Sequence, residues 1–522
     1  MEPGVTDPET RRFPVGWTLG GLGLLAVVVA GLAKALLFRN LEYPGSDFYS
    51  FLEMSWSWFY AGLFLHDNAY GFHAAIHNFY LLPAFAPLTI PLGAYGLILV
   101  QVLAHGAAVV RLARSDALEP TARLVVLVGA LGPLAFYVFD NPHWGFHPEL
   151  LYPPLALLLA LELLRGWTWR AVVVAGIIVL VKEDGALVCA AVVLAHTGWR
   201  VAATGRDSRE KARRALRSGL VALLVLAVVF LTGMALLSFM SQQHAGTQAT
   251  SADRLAPAVR AVARTLGGHG RVRLDRIQEG LGGFLLMGVL MLLPLGRRLP
   301  RGLLLFALAA VPLVPVLLVS SAAYRFNMML WPPRIATLQA GVVAALVFAS
   351  LTPRAEPACG RLPWLRTQPP GGDCVLSRGR RPSLAVIALL AAVSWAGQAG
   401  VLQWMGYPLG ERVAALGSAF GPPRSPLGST EDRYLRCVAS RLPGGLPVSA
   451  GWGTHPLFHR QSIVLASLEE HAWHPPRLRV VWAEEASGET APGVCRGPRV
   501  GVFAIEAECE LLPLLAGCAP GP

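Results

Sequence analysis

Residues 177–193 read IIVLVKEDGALVCAAVV, and three charged residues, Lys182, Glu183 and Asp184, stand side by side inside this otherwise apolar run. Each charge at bilayer depth costs about 2.5–3.5 kcal/mol or more, and those that persist there are usually paired and functional. Basic residues flank the wider stretch 170–198 on both sides: Arg165 and Arg170 before it, then Arg200, Arg206, Arg209, Lys211, Arg213, Arg214 and Arg217 after it. Lys- and Arg-rich flanks stay on the cytoplasmic side, so both ends belong to one compartment. A single crossing violates that rule. Two half-membrane helices meeting near Gly185 satisfy it, so the stretch predicts a hairpin with the charged trio at its tip.

The whole chain supports a membrane setting. Of its 522 residues 54% are hydrophobic and only 15% charged, with a mean hydropathy of +0.51; soluble domains carry about 25% charged residues. The fold class is therefore mainly α, a polytopic transmembrane helix bundle. The net charge of +12 comes from basic residues clustered in short loops, where they set topology and meet anionic lipid. No nucleic-acid motif accompanies them.

Apolar windows lie near 17–38, 92–113, 122–139, 149–165, 218–240, 281–296, 302–320, 333–352 and 384–404. With the hairpin and a re-entrant, Pro-rich stretch at 78–91, they predict about 11 membrane segments. Arg11 and Arg12 precede the first window, which reads as an uncleaved signal anchor with a cytoplasmic N-terminus. Charge asymmetry puts loops 39–91, 140–148, 241–280 and 321–332 outside, together with everything after about 405. The Arg-rich loop 241–280 disagrees, and its RLAPAVRAVARTL segment (254–266) suits a helix along the interface.

Residues 1–404 thus form a multipass domain. Residues 405–522 form a small extracytoplasmic α/β domain, with β-like runs LPVSAGW (446–452), LRVVWAE (478–484) and RVGVFAIEA (499–507) and a helix expected near 461–472. Cys437, Cys495, Cys509 and Cys518 all fall there, and three pairings are open to them. Cys359 and Cys374 lie in a loop expected to be cytoplasmic and reduced.

Several polar groups then face one compartment. YPGSDFYSF (43–51) places Asp47 after a turn, where it also reads as a helix cap. FDNPHWGFHPE (139–149) carries Asp140, His143, His147 and Glu149, the last well placed for a helix dipole. SAAYRFNMMLWPPR (321–334) offers Tyr324, Arg325 and Arg334, the arginines suited to a phosphate. His66, His73 and His77 share helical spacing, a weak metal signal that solvated or interfacial histidines explain as well. The alternative for Lys182-Glu183-Asp184 is a self-neutralising structural cluster.

FHPE followed by VKEDGAL resembles the bacterial predicted-membrane-protein family catalogued as domain of unknown function two thousand and seventy-nine. Asp47-Phe48, HNFYLLPAFAPL from His77, the FDNPHWGFHPE loop and Val181 to Asp184 carry the resemblance. The tail LPGGLPVSAGWGTHPLFHRQSIV, with Thr454, His455, Pro456 and Arg460, extends it. The chain departs from the family at 321–334, where a His-Tyr run is expected.

That family is in turn similar in architecture to GT-C-type lipid-linked-sugar glycosyltransferases. The resemblance implies transfer of a sugar from a polyprenyl-phosphate donor to an acceptor hydroxyl at the outer face of the bacterial cytoplasmic membrane. Asp47 would be the base, and Lys182, Glu183 and Asp184 catalytic companions. His77, Asp140, His143, His147, Glu149, Tyr324, Arg325 and Arg334 would line the substrate site. A divalent cation, magnesium or manganese, is the cofactor such chemistry admits. The competing class is a transporter or flippase for a lipid-linked or small anionic substrate, since broken helices with mid-membrane charges build transport sites. No inverted repeat accompanies them here.

Overall fold

The computed structural model describes residues 15–518 apart from 44–46, 69–70, 143, 205–208, 244–273, 314–330, 352–382, 408, 420–426, 452–453, 466–474, 485 and 487–491. The chain is mainly helical. Among the described residues seven helices are long and apolar enough to cross a membrane, or eight if the bent pair Pro120–Ala130 and Pro133–Asp140 is one span. The expected count of about 11 membrane segments, which included the half-membrane hairpin and the re-entrant stretch 78–91, is not confirmed among the described residues. α7 (Tyr152–Leu163) has 12 residues and α8 (Trp169–Val181) has 13. At about 1.5 Å per residue neither covers a hydrocarbon core of about 30 Å. Residues 82–92 form a 3-10 turn running into α3 (Ala86–Leu92), also too short to cross. The window 302–320 is helical to Ala310, and most of its remainder, 314–320, lies outside the described residues.

The decisive stretch breaks where the charges stand. α8 stops at Val181 because Lys182 is fully extended (φ −167°, ψ 167°), and α9 (Gly185–Ala203) begins three residues later. The chain doubles back. Cys189 Sγ on α9 reaches Ala175 O on α8 at 3.5 Å, and Gly185 sits so close to the Ile178 carbonyl that a Cβ would meet it. The hairpin is asymmetric, however: at 19 residues α9 is long enough to span alone, whereas two half-length helices were expected. A second fold-back follows at Gly296 (φ 55°, ψ −119°), which brings Phe306 against Gly288.

The helix Pro332–Ser350 forms the centre of the bundle, buried at every residue. Its Pro332-Pro333 start needs no intrahelical N–H partners. Its alanines and Gly341 let neighbours approach closely, Gly341 lying against Leu313 and Ala309.

Beyond the last long helix, Leu384–Trp404, the sheet expected from the C-terminal sequence forms. β3 (Pro447–Ala450) pairs in parallel with β4 (Ser462–Leu465) and with β5 (Leu478–Trp482). β7 (Phe503–Glu508) pairs antiparallel with β5 and with β6 (Val494–Arg496). Strand β4 occupies 462–465, where a helix was expected. Its SIVL run is β-branched and apolar, and it completes the sheet edge beside β3. The four cysteines resolve into Cys437–Cys518 and Cys495–Cys509. Cys359, Cys374 and the segment 254–266 lie outside the described residues.

Several contacts tie the C-terminal region to the bundle. Ala94 N, opening α4 (Ala94–Ala113), donates to His459 Nδ1 at 3.4 Å. His455 packs edge-on to Tyr49 of α2 (Asp47–Ala61), with ring centroids 4.5 Å apart. Ser462 of β4 hydrogen-bonds Glu53 of the same helix.

Candidate functional site

α2 brings Asp47 to the cluster. Asp47 is its first residue and sits in its first turn, where a carboxylate suits the positive end of the helix dipole. Asp47 Oδ2 faces His147 Nε2 at 4.0 Å, and its side chain is 25% exposed, against 5% for His147. The extended backbone of His147, just ahead of the 3-10 turn Pro148–Leu151, aims its ring inward. Phe51 and Trp331 hold that ring edge-on, with centroids at 4.6 and 5.3 Å. Its other nitrogen, Nδ1, bonds Glu149 Oε2, and Glu149 Oε1 accepts from Lys182 Nζ at 2.6 Å. A continuous chain of polar groups therefore runs Asp47, His147, Glu149, Lys182.

Each of the three consecutive charges finds its direct partner outside the trio. The extended Lys182 and the helical Asp184 (φ −82°, ψ −4°) splay their side chains to three separate partners. Lys182 takes Glu149 and lies 5.6 Å from the centre of the Phe79 ring. Glu183 accepts from Asn78 N at 3.2 Å and pairs with His77 Nδ1 at 2.8 Å. Asp184 accepts from Arg334 Nη1 at 3.1 Å and from the Tyr152 hydroxyl. One hairpin tip thereby pins the His77 turn, the 148–152 turn and the head of the central helix Pro332–Ser350.

Burial raises the Asp47 carboxyl above its ordinary value, against the pull of the facing His147. Burial also opposes ionisation of Glu149, but His147 and Lys182 prevail and hold it well below the carboxylate range. His77 is pushed down to about 4 by burial, despite Glu183. The site thus contains a committed carboxylate, Glu149, and an adjustable one, Asp47, which is also the more exposed. Pairs of carboxyls whose environments separate their pKa values are how acid–base roles are divided.

The sequence-derived candidates sort plainly. Asp47, His77, His147, Glu149, Lys182, Glu183, Asp184 and Arg334 form the connected cluster. His143, Tyr324 and Arg325 lie outside the described residues. Asp140 is not in the cluster. It is 1% exposed and forked by Arg412, Nε to Oδ2 and Nη2 to Oδ1 at 2.9 Å each. Tyr407 and Tyr43 also donate to it, so it ties the segment after the last long helix to the end of α6 (Pro133–Asp140). His73 is buried against Asp67 at 2.5 Å, and His66 is partly exposed. Among the described residues no group of three or more His, Cys, Asp or Glu is arranged to hold a metal ion.

Tyr152 and Phe51 carried no signal that set them apart from core aromatics. Glu53 did: a carboxylate in the apolar FYSFLEMSWSWFYA that follows Asp47, which is the anomaly of the VKED run in milder form.

Residues 40–257 match the family described as "Predicted membrane protein (DUF2079)". The resemblance drawn from the VKED and HPE motifs holds over this stretch, which contains the whole cluster except Arg334. Over that stretch the chain is similar to that uncharacterised family, and among the described residues seven or eight spans suit a multipass protein in a lipid bilayer. No curated protein and no solved structure matches the chain.

Proposed function

We propose that the protein is a membrane glycosyltransferase, moving a sugar from a polyprenyl-phosphate donor to an acceptor hydroxyl at the outer face of the bacterial cytoplasmic membrane. The observation that carries the reading is Asp47: a partly exposed carboxyl with a raised pKa, set against a histidine that a buried ion pair orients. In the reaction the acceptor hydroxyl loses its proton to Asp47 while its oxygen bonds the anomeric carbon. The bond from that carbon to the phosphate oxygen breaks, and polyprenyl phosphate leaves. His147 Nε2 faces Asp47 and can take the proton onward, because Nδ1 is already engaged with Glu149.

Lys182 and Arg334 act as positioning residues in this scheme. Both are nearly buried and paired with carboxylates, so neither is offered to the leaving phosphate. Glu149, Glu183 and Asp184 are each taken up by a protein partner, and among the described residues no group is arranged to hold a metal ion, so no step of this scheme is routed through a divalent cation.

The outward orientation is supported by the two disulfides between residues 437 and 518, since such bonds persist in oxidising compartments. On this reading residues 405–522 form an extracytoplasmic domain over the membrane domain 1–404.

The hairpin tip gives one reason to keep transport as the competitor, because broken helices with paired charges also build substrate pathways. The protein reconstituted in liposomes with a mixed pool of polyprenyl-phosphate sugars separates the two. Release of polyprenyl phosphate, with sugar appearing on an acceptor, supports transfer. Movement of intact lipid-linked sugar between leaflets without cleavage supports transport and removes the proposal.

A further inference from the structure

α2 has a second functional face. Glu53, Trp56, Ser57, Tyr60 and Ala61 recur at i, i+3, i+4, i+7 and i+8, one stripe of a helix. Asp47 and Phe51 lie roughly 120° or more around the axis from Glu53 at 3.6 residues per turn. The stripe faces the C-terminal sheet across an open cavity of about 370 Å³ lined on the other side by Pro447, Ser462, Arg477 and Glu508. Nothing in the Asp47 chemistry uses this space.

We infer that the cavity is a binding site for a neutral carbohydrate, one or two sugar rings in size. Its volume falls within the range of small-ligand pockets, about 300–1,000 Å³. Its walls supply two aromatic side chains, the buried Trp56 and the half-exposed Tyr60. Such amphipathic rings suit a ligand with apolar C–H faces and polar edges. Gly445 has a φ of 74° and lies against the Tyr60 ring, where a side chain would crowd it, so the backbone there leaves the ring open to the cavity.

The charge balance disfavours an anion. Among the described lining residues the one arginine, Arg477, is ion-paired with Glu508 and Glu510, and Glu53 adds another carboxyl, so a phosphate or carboxylate would meet no net positive charge from them. Polar groups gather at the floor, where Glu53 is held by Asn68 N and Nδ2 at 2.8 and 2.7 Å and by the Ser462 hydroxyl. Burial lifts the Glu53 carboxyl to about 8. Both Glu53 oxygens already accept from these donors, so the carboxyl shapes the floor while the aromatic walls meet the ligand.

This inference stands apart from the role given to Asp47. Its test is saturation-transfer NMR on the full chain in lipid nanodiscs free of glycoside detergent, with methyl glucoside, methyl galactoside and glucose 1-phosphate as probes. The expected result is transfer to at least one neutral glycoside and less to the sugar phosphate. Tyr60→Ala and Ala61→Trp should each weaken that signal about fivefold or more, as expected for losing an aromatic contact or the space itself. Should Tyr60→Ala fold poorly, Ala61→Trp, which fills the cavity from a helix end, decides alone. No transfer to either glycoside, a stronger signal with glucose 1-phosphate, or signals unchanged in both variants overturns the inference.

Discussion

Replacing Lys182 by Met tests whether the hairpin tip is held by its partners or merely tolerates them. The Lys182 Nζ to Glu149 Oε1 contact is 2.6 Å, and the two side chains are 4% and 0% exposed. Removing one member of such a buried pair strands the other and typically costs about 3–5 kcal/mol. His147 remains on the other Glu149 oxygen, so the lower end, about 3 kcal/mol, is expected for Lys182→Met. Lys182→Met with Glu149→Gln removes both charges, leaves a neutral amide for His147, and should recover to within about 1 kcal/mol of wild type, because paired buried charges are often replaceable together. With Glu149→Gln alone also costing about 3 kcal/mol, the coupling between the two sites would be about 5 kcal/mol in magnitude, well outside the range of independent positions. Reversible denaturant unfolding in mixed micelles, run on wild type, both singles and the double, measures each corner. A single variant within about 1 kcal/mol of wild type, or strict additivity in the double, would refute the reasoning.

Arg412→Met should destabilise the protein by about 3 kcal/mol, because it takes the paired guanidinium from buried Asp140 and leaves two tyrosine hydroxyls and the nearby Lys34; the same unfolding assay reads it. Glu53 gives a pH signature. Its folded pKa is raised to about 8 from an ordinary 4.5, so its contribution is fully present below about pH 4.5 and is lost as pH rises through 8. The slope approaches about 1.4 kcal/mol per pH unit in between, and Glu53→Gln should abolish it when stability is measured across that window. Non-reducing peptide mapping should recover Cys437 with Cys518 and Cys495 with Cys509. Cys437→Ala should cost more than Cys495→Ala, since its bridge spans 81 residues against 14 and longer loops lose more entropy when closed.

The helical class and the broken hairpin were legible because bilayer physics writes strongly into sequence: long apolar runs, basic flanks and charges out of place. The segment count was not, because composition does not reveal where a helix stops. Lys182 turning extended and the prolines at 148, 153 and 154 cut apolar windows into helices too short to cross. Asp47, His147, Glu149 and the VKED trio were identified as neighbours from shared compartment alone. Their pairing was hidden, since three consecutive charges finding three separate partners depends on one extended residue. Asp140 was misplaced for a related reason. It sits in the same loop as His147, yet its partner, Arg412, lies 272 positions away in a segment whose local sequence gives no sign of the contact. Glu53 carried the same signal as Lys182, a charge in an apolar run, and opens a second face on the same helix.

The most direct test of the central claim is the initial rate of polyprenyl phosphate release by Asp47→Asn beside wild type, in the same liposomes and at equal folded amounts. Loss of a general base typically lowers such a rate by about 10²–10⁴-fold. That drop is expected here, with the unfolding midpoint unchanged, because Asp47 is partly exposed and among the described residues its ion-pair contact with His147 is as long as 4.0 Å. An Asp47→Asn rate within a few-fold of wild type would contradict the account.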